Sequence, residues 1–249
     1  MNQENDAYRD EVSLVDLATI FVRRIWLFVG LFVVFVLSGV VFALVQEEQY
    51  GYVSLYQIAE KNSDEPVEKP AKSIAVIRSQ KLMELEAAYK AEHEERIPFG
   101  VSFSNPENTT LIRVFSESER DRAAEVQAAH EELLVYLKER HDRQIAAIRQ
   151  SVEARLKSVS QTLEALTQNP EAGQAMAEVM QKQIELAGEL DSLSSGELMV
   201  VARESVERVA PNRKLIVVLA TAVGFIFAFI AVFFAEFASL VRKALREQK

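Results

Sequence analysis

Two long apolar runs lie near opposite ends of the 249-residue chain, at residues 25–45 and 215–235, and neither contains a charged residue. A helix rises about 1.5 Å per residue, so a run of about 20 residues can cross a hydrocarbon layer ~30 Å thick. We therefore predict two membrane-spanning helices. Almost all of the remaining folded protein must lie between them.

The charges that flank the two runs predict an orientation. Residues 23–24 before the first run are arginines, and residues 47–48 after it are glutamates. The basic residues after the second run are Arg242, Lys243, Arg246 and Lys249. Cytoplasmic flanks are rich in Lys and Arg, and a long segment crosses the membrane largely regardless of its charge. The expected order is a cytoplasmic segment 1–24, a span 25–45, a periplasmic domain 46–214, a span 215–237 and a cytoplasmic tail 238–249.

A cleaved signal peptide is the alternative interpretation of the first run. Its apolar stretch is longer than the roughly 7–15 residues of a signal peptide. The leader is also acidic where a signal peptide is basic, with Asp6, Asp10, Glu11 and Asp16 before the run. Both observations favour a retained span.

Within the leader, Ser13 and Asp16 resemble a helix capping box, and Val12, Leu17, Ile20 and Phe21 could form one apolar stripe. We predict a helix here. It is either a separate helix at the inner membrane surface or a plain extension of the first span.

The segment between the runs predicts a mixed fold. Alternating β-branched and aromatic residues indicate strands at residues 50–58, 101–104, 110–116 and 198–202. The second and third strands should form a hairpin, and the last should return beside the first. Residues 61–70 contain two prolines and are predicted to be a loop. A helix is expected over residues 71–92.

Residues 119–168 contain neither Pro nor Gly, which predicts one helix of about 50 residues, ~75 Å long. Asn169 and Pro170 suit the start of a return helix that ends near Ser194. The fold class is therefore an α+β membrane protein, in which two transmembrane helices flank a periplasmic α/β base domain with a long helical projection.

Two sets of residues are candidates for helix packing and oligomerisation. Apolar residues recur every three or four positions along the long helix and form a predicted seam: Ile145, Ile148, Val152, Leu156, Val159 and Leu163. Small residues share one face of the second span and, more weakly, of the first: Ala220, Gly224 and Ala228, with Gly39 and Ala43. Ala231 or Ala235 would extend this face, and Phe225, Phe229 and Phe233 on the opposite face should contact lipid.

The sequence lacks the residues that most catalytic or metal sites use. There is no cysteine, which excludes disulfides and thiolate sites, and the three histidines do not have metal-binding spacing. No phosphate-binding or dinucleotide-binding glycine motif is present, and a net charge of −9 argues against nucleic acid. We expect no enzyme activity, cofactor or metal, and interpret His141, between Leu137 and Ile145, as a half-buried or inter-subunit histidine.

Three stretches resemble the Wzz-type polysaccharide co-polymerases, the chain-length determinants of bacterial surface polysaccharides. They are residues 11–17 through 23–26, the tyrosine-containing strand 50–58, and residues 211–214 leading to Gly224. The order of elements also matches that family. The chain departs from it in having a single proline, Pro211, just before the second span, and a short periplasmic part.

The resemblance implies a non-enzymatic protein of the bacterial inner membrane. It would form a closed, octamer-like homo-oligomeric ring and set the length of a polymer, such as lipopolysaccharide O-antigen, that a Wzy-type polymerase makes from lipid-linked polysaccharide. The chain shows no kinase domain of the fused tyrosine-kinase type. Two alternatives are a sensory module and a scaffold or adaptor of an export machine. A sensory module needs a cytoplasmic output domain, whereas only about a dozen residues follow the second run.

Overall fold

The structure is a computed structural model that describes residues 14–62, 65–168 and 173–247. It divides into two compact units. One contains the chain up to Glu47 and from Ala210 onward, and the other is Glu48–Val209.

The helices and strands follow in this order: α1 (Leu14–Arg23), α2 (Ile25–Val45), β1 (Gln49–Gln57), β2 (Glu60–Asn62), β3 (Glu65–Pro66), α3 (Pro70–Val76), α4 (Leu82–His93), β4 (Val101–Ser104), β5 (Leu111–Ser118), α5 (Ala123–Thr167), α6 (Gly173–Ser192), β6 (Glu197–Ala210) and α7 (Arg213–Glu247). A π-helical turn, Ile77–Lys81, joins α3 to α4, and a 3₁₀ turn, Arg120–Arg122, precedes α5.

In the first unit, α2 and α7 are long and apolar enough to cross a membrane. Few of their residues are buried within the protein, unlike those of a core helix in a soluble domain. Helix α2 has the predicted bounds. Helix α7 continues to Glu247, so most of the segment predicted as a tail is helical.

Helices α2 and α7 run antiparallel. At one end the Arg24 Nε donates to a carboxylate oxygen of Glu236 over 2.7 Å, and at the other the Arg213 Nε donates to the carbonyl oxygen of Ala43 over 3.1 Å. That carbonyl belongs to the last turn of α2, where backbone acceptors have no partner within the helix. The two arginines therefore fix the register of this hairpin at both ends.

The leader forms a separate helix rather than a plain extension of the span. Helix α1 ends at Arg23, and α2 begins at Ile25. The ring of Phe21 packs against Phe28, with centroids 5.1 Å apart, and against Phe229, at 5.8 Å. Its side chain therefore points towards the helix pair. The predicted capping residue Ser13, and Val12 of the predicted stripe, lie outside the described residues.

In the second unit, four strands form a sheet in the order β4-β5-β1-β6. Antiparallel pairing of β4 with β5, with Phe103 opposite Val114, confirms the predicted hairpin. Strand β1 pairs with β5 antiparallel, with Tyr56 opposite Ile112. The first and last strands are neighbours, as predicted. Strand β6 is longer than the strand predicted at residues 198–202. Its additional residues include charged ones, which an edge strand tolerates because they can face solvent.

Two other expectations need correction. Residues 61–70 are not only a loop, because part of this segment belongs to the short antiparallel pair of β2 and β3. Strands of two or three residues carry no periodic pattern, and a proline is tolerated on an edge strand. The predicted helix 71–92 is interrupted by the π-helical turn at Ile77–Lys81. The proposed start of the return helix at Asn169 and Pro170 lies outside the described residues.

One face of the sheet packs against the helices. Alternate residues of β1 and β5 are buried, as expected for strands with one covered face. They join helical side chains in the main core, whose fully buried members include Tyr56, Ile58, Ile77, Ile112, Val114, Leu133, Leu134 and Leu137. The first half of α5 thus lies on the sheet, and its second half pairs with α6.

Candidate functional site

The predicted small residues lie in the contact between α2 and α7. A Cβ atom at Gly39 would overlap the Cβ of Ala220, and one at Gly224 would lie 2.7 Å from the Cβ of Phe35. Ala43 and Ala228 are buried. Glycine and alanine let the two backbones approach closely, which is how helices associate in lipid. A further role in contacting a polymerase or another subunit remains a prediction.

This face continues towards the C-terminus differently from the expectation. Val232 and Glu236, rather than Ala231 or Ala235, are its next buried residues. The phenylalanine face, whose contact with lipid remains a prediction, also contacts the first span. The ring of Phe225 packs edge-on against Phe28, with centroids 5.6 Å apart, while about half of its surface stays exposed.

Replacing Gly224 with leucine should separate the two helices, because the new side chain would occupy the volume of the Phe35 side chain. Overpacking of this kind costs about 1–3 kcal/mol. Titration with a denaturing detergent would measure the loss of stability of the helix pair. The fluorescence of Trp26, the only tryptophan, would monitor the titration. Gly30→Leu is the matched control, because a Cβ at Gly30 has no neighbour within 4 Å. Equal midpoints for the two variants would contradict the predicted contact.

An ion cluster at one end of this helix pair was not predicted from the sequence. The Glu236 carboxylate is nearly buried and accepts hydrogen bonds from Arg24 at 2.7 Å and Arg23 at 3.3 Å. A buried carboxylate needs such partners because its desolvation is costly. The signal was present in the sequence, since Glu236 continues the four-residue spacing of Gly224, Ala228 and Val232.

The seam residues on α5 lie against the protein's own chain. Ile145 is buried in a cluster with Ala59 and Leu193, and Ile148 packs against that cluster. Val152 is buried, while Leu156, Val159 and Leu163 are half-buried. The Gln183 amide of α6 donates to Ser160 beside the seam over 3.4 Å. The seam thus has a packing role within one subunit, and its role in oligomerisation remains a prediction.

His141 is fully buried within the subunit, which corrects the expectation of a half-buried position. The Ser73 hydroxyl donates to Glu68 over 3.0 Å, so it accepts from the Nε2–H of His141 at 3.1 Å. The other nitrogen, Nδ1, then accepts from the Tyr56 hydroxyl at 2.8 Å. A neutral His141 therefore links β1 to Glu68 through a chain of hydrogen bonds.

Glu68 ends this chain, and its side chain is only 2% exposed. The Arg140 guanidinium donates to both carboxylate oxygens, at 2.9 and 3.2 Å, and Lys72 lies 3.1 Å away. Burial alone would raise the pKa of Glu68, but hydrogen bonds from Arg140, Lys72 and Ser73 outweigh it and lower the pKa to about 2. Glu68 is therefore a fixed negative charge beneath the start of α3.

His130 forms a second buried link between α5 and the sheet. Its Nδ1 lies 2.8 Å from the hydroxyl of Ser54 on β1, and its Nε2 lies 2.8 Å from that of Ser116 on β5. The Ser54 oxygen also accepts from the backbone N–H of Ala202 on β6, at 2.7 Å. This arrangement connects three strands to α5. Burial lowers the pKa of His130 to about 4 and also lowers the pKa of His141, where Glu68 opposes the effect of burial.

The sequence contained a partial signal for both links. His130 and His141 fall on the apolar stripe of α5, while Ser54 and Ser116 occupy inward positions of strands whose inward residues are mostly apolar or aromatic. A polar residue on an inward face needs a buried partner, but the pairing itself depends on the fold. Within the described ranges, no three His, Asp or Glu side chains come together in a way that could hold a metal ion.

Gly196→Ala should break the link between Tyr56 and His141. Gly196 is buried, and a Cβ there would overlap the Tyr56 hydroxyl and lie 3.1 Å from the carbonyl oxygen of Gln57. Displacing the hydroxyl leaves the Nδ1 of His141 without its donor, so we expect a loss of about 1–3 kcal/mol in the free energy of unfolding. Thermal denaturation, monitored by circular dichroism, would detect this loss of stability. The same change at Gly188 of α6, which has open space, should be neutral or stabilising.

Comparison with known proteins gives matches only among solved structures. No protein-family model and no curated protein matches the chain. It is similar to a full-length bacterial polysaccharide co-polymerase at 14% identity, with a TM-score of 0.42, covering 94% of this chain and 99% of the other. It is also similar to a fragment of WzzB, a polysaccharide co-polymerase from Salmonella Typhimurium, at 14% identity, with a TM-score of 0.34, covering 66% of this chain and 100% of the fragment. Both of these proteins are polysaccharide co-polymerases.

Proposed function

We propose that this protein regulates the chain length of a bacterial surface polysaccharide, such as lipopolysaccharide O-antigen, as a non-enzymatic co-polymerase of the inner membrane. The observation that carries the proposal is the order of the fold. An α/β domain with a 45-residue helix is inserted between two antiparallel helices that are able to span a membrane. The resemblance at residues 11–26, 50–58 and 211–224 supports the same function. The partners would be a Wzy-type polymerase and its lipid-linked polysaccharide.

The proposal includes a cytoplasmic location for both termini and a periplasmic location for residues 46–214. The antiparallel pairing of α2 and α7 supports it, because Arg24 and Glu236 lie at the same end of the pair. The chain has no cysteine, so a single introduced cysteine is a unique label. A membrane-impermeant maleimide applied to spheroplasts should label Ser104→Cys and not Ala244→Cys. The reverse pattern would contradict this topology.

We also propose that copies of the chain assemble into a closed ring, octamer-like by the resemblance. Large apolar side chains remain exposed in the second unit, including Met83, Met180 and Ile184, which is 71% exposed. Met180 and Ile184 lie four residues apart on one face of α6, so one surface of a second copy would cover both. Mass photometry of the detergent-solubilised protein should show one discrete species of several subunits. A monomer over the whole concentration range would count against the ring.

A deletion strain tests the function itself. Gel separation of its surface polysaccharide should show loss of the preferred length, and the gene supplied in trans should restore it. An unchanged ladder in the deletion strain would exclude chain-length control. A ladder that disappears completely would instead indicate an essential export scaffold.

A further inference from the structure

Both chain segments that flank the helix hairpin at its Glu236 end carry positive charges. Arg23 and Arg24 reach Glu236 from the junction of α1 and α2. Helix α7 continues past Glu236 for three turns, to Glu247. Lys243 and Arg246 follow Glu236 at spacings of seven and ten residues, so they share its side of the helix.

The two arginines carry more positive charge than is needed to neutralise the single buried carboxylate of Glu236. One arginine neutralises Glu236, and Arg24, which is 28% exposed at its side chain, makes the shorter contact. The Arg23 side chain is 73% exposed and makes one hydrogen bond with Glu236, through Nη1, although a guanidinium has five N–H donors in a planar fork. Arg23 can therefore donate to a second anion while it keeps its contact with Glu236.

The end of α7 is amphipathic. Arg242, Lys243 and Arg246 are exposed on one side. The other side carries exposed apolar residues: Phe237, Leu240, Val241 and Leu245. A helix segment with a cationic face and an apolar face suits the boundary between lipid headgroups and acyl chains. It begins where the apolar run of the second span ends.

We propose that Arg23, Arg24, Arg242, Lys243 and Arg246 form one cationic face that binds the phosphates of anionic lipids in the leaflet at this end of the hairpin. Among residues whose side chains are described here, Glu236 is the acid within hydrogen-bonding distance of the arginines, so a positive excess remains. Arginine forks and lysine charges recognise phosphate oxygens well. A zwitterionic lipid offers no net charge to this face.

Native mass spectrometry of the full chain in a mild detergent would test the proposal with two probes, phosphatidylglycerol and phosphatidylcholine. The wild type should retain phosphatidylglycerol in clear preference, and added salt should weaken the retention. Each cation near a lipid surface changes affinity about fivefold, so R242Q/K243Q/R246Q should lose at least tenfold. Glutamine is a good helix former, so the helix should persist in this variant, which far-ultraviolet circular dichroism would verify.

Lys214→Gln is the control, because it removes a positive charge from the exposed surface at the opposite end of the same helix. It should leave the preference for phosphatidylglycerol unchanged. Equal retention of both lipids by the wild type would overturn the proposal, as would wild-type retention by the triple variant.

The acidic leader is the competing occupant of this face, since residues 1–13 contain Glu4, Asp6, Asp10 and Glu11. Deleting residues 2–12 separates the two possibilities. Unchanged retention of phosphatidylglycerol supports binding of lipid to the face in the full chain. A rise of tenfold or more would show that the leader covers the face, and would overturn the proposal.

Discussion

Lowering the pH from 7 to 4 should destabilise the α/β domain by about 3 kcal/mol through His130 alone. In the unfolded chain a histidine binds a proton below pH ~6.5, whereas burial lowers the pKa of folded His130 to about 4. The unfolded state therefore binds more protons in this range, and stability falls as the pH falls. The difference between the two pKa values corresponds to about 3 kcal/mol. His141 adds to the loss in the same direction.

The structure explains why a proton disrupts this link. Neutral His130 can donate to one serine and accept from the other, and Ser54 at the same time accepts from Ala202. A protonated ring donates from both nitrogens, so the serine hydroxyl that donates to neutral His130 loses its acceptor. The expected result is weaker attachment of α5 to the sheet.

Thermal denaturation of the full chain in detergent, followed by circular dichroism at several pH values, would measure the effect. For a domain of this size, about 3 kcal/mol corresponds to a fall of roughly 6–12 °C in Tm. His130→Gln keeps one donor and one acceptor but does not titrate, so it should reduce the dependence between pH 6.5 and 4 to the part that His141 contributes. The exposed His93→Gln is the control. A Tm that does not change between pH 7 and 4 would contradict the buried, neutral state of His130.

Glu68→Ala should destabilise the same domain by about 3–5 kcal/mol, the second large effect. Removal of one partner from a buried ion pair leaves the other charge without compensation. Here Arg140 loses a bidentate acceptor, and Ser73 loses the acceptor that orients it towards His141. Hydrogen exchange of α3 and of the first half of α5 should increase most, because these elements meet at Glu68.

A neighbouring glutamate provides the matched control for Glu68. Glu65 also pairs with a lysine, Lys61 at 3.3 Å, but both side chains are exposed. Exposed pairs contribute about 0–1 kcal/mol, so Glu65→Ala should change Tm little. Equal losses for the two variants would contradict the importance of burial at Glu68. The low pKa of Glu68 also predicts a further loss of stability in the wild type as the pH falls from 4.5 towards 2.

Local patterns in the sequence predicted the long elements of this fold. The absence of charges identified α2, and alternation of apolar and polar residues identified β1 and the hairpin of β4 and β5. The absence of Pro and Gly identified α5 as one helix. In each of these cases the signal lies within the element itself. The β2–β3 hairpin and the full length of β6 lacked such a signal, because short strands have no measurable period and an edge strand tolerates charges.

The polar clusters could not be predicted because their members are far apart in the sequence. Tyr56 and His141 are separated by 85 residues, and Arg24 and Glu236 by 212. Each residue alone is compatible with an exposed position. Only the packing of α5 against β1, and the register of α2 with α7, brings the partners within hydrogen-bonding distance. The same reason explains why His141 was expected to be half-buried.

The most direct test of chain-length control measures polymer amount and polymer length in the same cells. Incorporation of labelled sugar into the surface polysaccharide would be compared between a deletion strain and its complemented derivative, together with the length distribution on a gel. A regulator without enzymatic activity predicts similar total incorporation in both strains, with a preferred length only in the complemented strain. A large fall in incorporation with an unchanged shape of the distribution would contradict the account, because it would show that the protein is needed to make the polymer rather than to set its length.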